Sequence, residues 1–144
     1  MTVLLVILGL LPFAAGGVMN HSMMAHPDTL PPFLLIGLLL LLGWGLISFF
    51  AVRRGGSVET VVLSLNAVAA LVLILLGVQE LILGAYWMNA AGAWTQFFYL
   101  PLLNLGFTLT PWSHSVFPAY AASFILLAAA SALGSLLGTR SRQK

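Results

Sequence analysis

The sequence predicts an all-α integral membrane bundle: four transmembrane helices, the first of them short, plus an interfacial or re-entrant aromatic segment. Three observations carry this. Of 144 residues, 61% are hydrophobic and only 6% charged, whereas soluble domains carry roughly 25% charged residues. Several apolar runs reach or approach the length of about 18 residues that marks a membrane span. Those runs are continuous and do not alternate with period two, which argues for helices over a barrel. The whole chain, 1–144, therefore reads as one membrane domain without a separate soluble module.

Residues 2–18 form the first apolar run, interrupted by Pro12 and closing in Phe13-Ala14-Ala15-Gly16-Gly17. Helical throughout, it would measure only about 25 Å. A retained short helix and a secretory signal with residues 4–11 as its apolar core both fit this pattern. The lack of a basic stretch ahead of that core favours the retained helix.

Residues 19–32, MNHSMMAHPDTLPP, read as a polar loop, with Pro31-Pro32 placed to start the next helix. Residues 33–52 form a clear span of bilayer length. Gly37, Leu41, Gly45 and Ser48 give it a small-residue face suited to close helix approach. The turn 53–57 holds Arg53 and Arg54, then Gly55-Gly56-Ser57, with Ser57 as N-cap of the following helix and Glu59 in its first turn.

That helix, 58–88, is the segment the chain is organised around. Asn66, Ala70, Leu73, Gly77, Glu80 and Gly84 recur in steps of three and four, which places them on one face of an otherwise aliphatic helix. A seam of this kind is turned towards neighbouring helices. At about 46 Å the helix exceeds a ~30 Å hydrocarbon core, so it must tilt, bend or project. Tyr86-Trp87 mark its interfacial end, which leaves Glu80 shallow.

Residues 89–116 are rich in aromatic side chains and broken by Pro101 and Pro111. Were this stretch to cross the bilayer, the two basic clusters would fall on opposite sides, against the positive-inside tendency. An interfacial or re-entrant segment fits instead. Residues 117–138 form the last span. Ala128, Ser131, Ala132 and Ser135 in it, with Gly77 and Gly84 earlier, extend the small-residue packing positions. The tail 139–144 is basic.

Arg53, Arg54, Arg140, Arg142 and Lys144 are the only basic residues besides histidine. Placing both clusters in the cytoplasm gives four spans with both termini inside. Two short clusters flanking membrane spans are topology signals and not a nucleic-acid surface.

The absence of cysteine removes disulfides, thiolate metal sites and thiol redox chemistry. The two loops opposite the arginines contain every histidine: His21, His26 and His114. Met23 and Met24 lie between the first two, and Glu80 approaches the same side. Imidazole and thioether donors are a soft set suited to copper, so one expectation is a copper site built from His21, His26 and His114 with Glu80 or a methionine. Against it, solvated loop histidines are common, and His21 and His26 lack the i, i+4 spacing of a helical ligand pair. Glu80 is an ionisable group in a span, which suggests a function by default. With Asn66 about 21 Å away along the helix and Gln79 uncharged, the polar seam of Asn66, Gln79 and Glu80 offers no ladder of charges for transport.

A quinone or pigment pocket walled by Trp94, Phe97, Phe98, Tyr99 and Trp112 competes with an ordinary interfacial aromatic belt. Ser113-His114-Ser115 lacks the elbow and third partner of a hydrolase triad, and nucleotide-binding and zinc-protease signatures are absent. Catalysis is not expected. The favoured expectation is a small accessory or structural subunit of a larger membrane complex, a respiratory or other redox complex being one such assembly. Its partners would be the lipid bilayer and other membrane subunits or a second copy. Copper handling on the loop side and small-solute transport through Glu80 are the alternatives.

Overall fold

Pro12 decides how the first apolar run folds. Inside a helix a proline lacks the N–H that its i−4 carbonyl needs, and its ring clashes with that carbonyl. In the computed structural model, which describes residues 1–87 and 89–142, the chain stops and restarts. Helix α1 (Thr2–Leu8) ends at Gly9, and α2 (Leu11–Ala25) carries Pro12 in its first turn, where the missing N–H costs nothing. Together they form a rod of 24 residues, about 36 Å long. The expected boundary at Val18 is thereby corrected: Met19 to Ala25 are helical and not loop. No proline or glycine interrupts them until His26, whose non-helical φ of −135° precedes Pro27.

Helix α3 (Phe33–Arg53) spans the second apolar run. Helix α4 (Val58–Gly77) starts on Ser57, whose Oγ accepts a hydrogen bond from the Thr60 N–H at 3.1 Å. It continues through one π-helical turn, Val78–Ile82, and stops. The expected continuation to 88 does not form. Gly84 adopts φ +66°, a left-handed bend that glycine tolerates, and the chain turns back on itself; Met88 lies outside the described residues.

The buried stripe of this helix also differs from the expected seam. It runs Val61, Leu65, Ala69, Val72, Leu76 and Gln79. Of the expected face only Asn66 is buried, while Ala70, Leu73, Gly77 and Glu80 are half-buried and Gly84 is exposed in the turn. Large aliphatic side chains at steps of three and four fill the bundle interior, and the wider π turn, Val78–Ile82, changes the helical phase around Glu80 itself.

The aromatic segment becomes helix α5 (Ala90–Leu109), so residues 90–109 are not loop. Asn89 caps it, its Oδ1 accepting from the Gly92 N–H at 2.9 Å. Helix α6 (Phe117–Arg142) completes the chain, running beyond the expected end at 138. Four helical rods, Thr2–Ala25, Phe33–Arg53, Val58–Ile82 and Phe117–Arg142, are long and apolar enough to cross a membrane. With no strand among the described residues, the protein is a multi-pass helical membrane protein.

Close approaches set the arrangement. Gly134 of α6 lies on the Gly45 backbone of α3, and Gly138 lies on Phe49, so α3 and α6 cross with main chains nearly touching. Asn66 meets Ser131 while Gly77 meets Phe117, so α4 and α6 run antiparallel. The segment between them thus starts and finishes at one end of the bundle, as a re-entrant segment must. On the way α5 wedges against α2 and α6 and reaches α3 and α4. Pro101 leaves the Phe97 carbonyl without its helical donor, and Gly16 of α2 packs directly onto that carbonyl. A glycine Cα–H there offers a weak replacement contact.

The core joins Trp44, Leu65, Ala69, Val72, Leu76, Phe98, Tyr99, Leu102, Tyr120 and Leu127. Two ends of the bundle are chemically distinct. One carries Arg53, Arg54, Arg140 and Arg142; the other carries His26, the turn after α4, and His114. Lys144 lies outside the described residues. The first rod rests on α4 through α1 and on α5 through α2. Beside α3 it leaves open apolar grooves of about 320 Å³ near the arginines and about 470 Å³ towards the histidines.

Candidate functional site

Polar side chains buried among apolar helices are costly unless hydrogen-bonded, and those inside this bundle have partners among the described residues except Ser135 Oγ and one Glu80 oxygen. At mid-bundle, Asn66 of α4 donates from Nδ2 to Ser131 Oγ of α6 at 2.7 Å and to its own helix at Val62 O at 2.8 Å. Its Oδ1 accepts from the Trp44 Nε1–H of α3 at 3.1 Å. Ser131 Oγ in turn donates to Ala128 O at 2.9 Å. Three helices are thereby joined through one carboxamide. Trp44 was not singled out from the sequence, although a signal existed: tryptophan in a span usually sits at an interface, and this one lies near the middle of an apolar run.

The second cluster stands at the histidine end, where α4 gives way to its π turn. Gln79 is fully buried; its Oε1 accepts from the Trp87 N–H at 2.9 Å and its Nε2 donates to Thr95 Oγ1 at 3.3 Å. Thr95 in turn donates to Gly92 O at 2.7 Å. One side chain therefore ties the end of α4, the returning turn and the start of α5. Gly92 is required here, because a Cβ would overlap the Trp87 carbonyl.

Glu80 follows immediately. Its Oε2 accepts from the Tyr86 hydroxyl, so Tyr86 lies folded back over Glu80 and not two turns further along a helix. Burial first, then the contact with the Glu80 carboxylate, push the Tyr86 phenol above its ordinary value. Tyr86 packs edge-on against Tyr120, and Tyr120 against Tyr99, with ring centroids 6.2 and 5.8 Å apart. Tyr99 donates to Ala69 O at 2.6 Å. The other carboxylate oxygen, Glu80 Oε1, is buried and has no hydrogen-bond partner among the described residues. A π turn is a frequent marker of functional positions within helices.

The expected copper ligands are distributed differently. His21, Met23 and Met24 ride on the last turns of α2, His26 ends that helix, and His114 lies in the turn before α6. All three histidines are exposed. No group of three His, Asp or Glu side chains able to hold a metal ion comes together among the described residues.

The expected packing residues sit inside the bundle to differing degrees. Gly37 meets Pro101 O of α5, a Cβ there lying 2.8 Å from it; Gly45 meets α6, and Gly77 meets the Phe117 ring. Ser131 and Ser135 are fully buried, Ala128 and Ala132 half-buried, and Gly84 has open space around it. The aromatic set divides as well: Phe98 and Tyr99 are fully buried, Phe98 packing on Phe13 at 4.8 Å, whereas Trp94 and Trp112 are exposed.

Together the fold and these clusters define a multi-pass membrane bundle with a polar lock at its centre and one incompletely satisfied carboxylate near one end. No protein-family model, characterised protein or solved structure matches the chain.

Proposed function

We propose that this chain is a non-catalytic accessory subunit of a larger membrane assembly, docked through the flank of the bundle around Glu80, with its arginine end in the cytoplasm. The observation that carries the reading is Glu80 Oε1. A carboxylate oxygen withdrawn from water without a donor costs several kcal/mol. Leu81 and Ile82, next to Glu80 in the chain, are exposed apolar side chains on the flank of the bundle. A donor on a neighbouring transmembrane helix would relieve the cost.

The remaining interior supports a scaffold over a transporter. Asn66, Ser131, Trp44, Gln79 and Thr95 have their hydrogen bonds engaged within the chain, and the other charged side chains of the rods, Glu59, Arg53, Arg140 and Arg142, stand at the opposite end of the bundle from Glu80, leaving no ladder of charges along which to pass an ion. The orientation rests on the positive-inside tendency applied to the arginine end.

Native sizing after mild detergent extraction tests the reading. The wild-type chain should travel in a particle well above its own 15.3 kDa, and Glu80→Leu should release it while circular dichroism shows the helices intact. A wild-type chain that migrates alone, or an assembly indifferent to Glu80→Leu, would overturn it.

A further inference from the structure

We propose that the groove between α1 and α3 holds one acyl chain of an anionic phospholipid whose phosphate is bound by Arg54. Leu4 and Leu8 form one wall, Leu46 and Phe50 the other, and Arg54 stands at the rim with no acidic side chain in the lining. The groove has a volume of about 320 Å³ and lies where α1 leans on α4 instead of α3. Apolar walls at acyl-chain depth below a cation at headgroup depth match both halves of an anionic lipid.

Charge separates this groove from its neighbours. The groove between α3 and α6, lined by Gly45, Phe49 and Gly134 among others, has no charged side chain in its walls. Arg53, adjacent in sequence, places its guanidinium 5.6 Å from the centroid of the Phe49 ring and so is engaged on that side. The groove between α2 and α3 is likewise uncharged. Arg54 alone of the pair faces the α1–α3 gap. The inference stands apart from the docking role of Glu80, which belongs to the opposite end of the bundle.

Native mass spectrometry of the full chain released from nanodiscs of equal phosphatidylglycerol and phosphatidylcholine tests it. One phosphatidylglycerol should be retained per chain in preference to phosphatidylcholine. Arg54→Gln should lower that retention about fivefold, the effect of one cation near an anionic surface. Leu46→Trp, at a side chain 48% exposed and therefore tolerant of replacement, should abolish retention by filling the groove with Arg54 still in place. Equal retention of both lipids would overturn the proposal. So would an equal loss from Arg140→Gln, which would signal general attraction to the basic end. Retention unaffected by Leu46→Trp would refute the groove, and a second copy of the chain in place of lipid would refute the occupant.

Discussion

Asn66 and Ser131 lie 65 positions apart in sequence and are joined by a 2.7 Å hydrogen bond at the centre of the bundle. Because Asn66 also accepts from Trp44, this contact fixes the rotation of α4 against both α3 and α6. Aliphatic packing alone tolerates small slips between helices; a carboxamide with designated partners does not.

Asn66→Leu should therefore destabilise the bundle by roughly 1–3 kcal/mol, since it removes the acceptor of the Trp44 N–H as well as the donor to Ser131. Reversible unfolding in bicelles measures this. A double-mutant cycle with Ser131→Ala should return a coupling of about 0.6–1.7 kcal/mol; coupling near zero would mean that the two side chains do not interact.

Two glycines in the same apolar surroundings should behave oppositely. A Cβ at Gly134 overlaps the Gly45 carbonyl, while a Cβ at Gly43 meets nothing within 4 Å. Gly134→Ala should cost about 1–3 kcal/mol by forcing α3 and α6 apart. Gly43→Ala should be neutral or stabilising by up to about 1 kcal/mol through helix propensity. Thermal unfolding of the two variants side by side decides.

Gln79 holds the turn after α4 through the Trp87 amide. Gln79→Leu should speed hydrogen exchange of that amide roughly tenfold, the loss of about one net hydrogen bond, while leaving the middle of α4 protected. Unchanged exchange at Trp87 would show that the turn is held by something else.

The absence of native cysteine allows topology to be read directly. Ser57→Cys and Ser141→Cys should both resist an impermeant thiol reagent in intact cells and both react after permeabilisation, whereas Asn89→Cys should react from outside. Labelling of Ser57→Cys and Ser141→Cys from opposite sides would contradict the orientation proposed for the basic end.

Composition and the length of the apolar runs determined that this is a helical membrane protein, because burial in lipid demands continuous apolar helices whatever their neighbours. The Ser57 cap and the small residues on α3 and α6 were legible for the same local reason. The end of α4 was not: residues 78–88 are apolar enough to continue a helix, and only the packing of Gln79 against Trp87 and Thr95 makes the turn at Gly84 the better solution. The copper expectation joined residues by the end of the bundle they share, but whether side chains on one end meet depends on helix rotation, which sequence spacing does not specify. Rotation likewise selected Asn66 with Trp44 and Ser131 as the central lock and left Glu80 with an unmet oxygen. Membrane character follows from each segment's own solvation, whereas partnerships between segments are set by tertiary contacts across dozens of residues, and those contacts alone chose them.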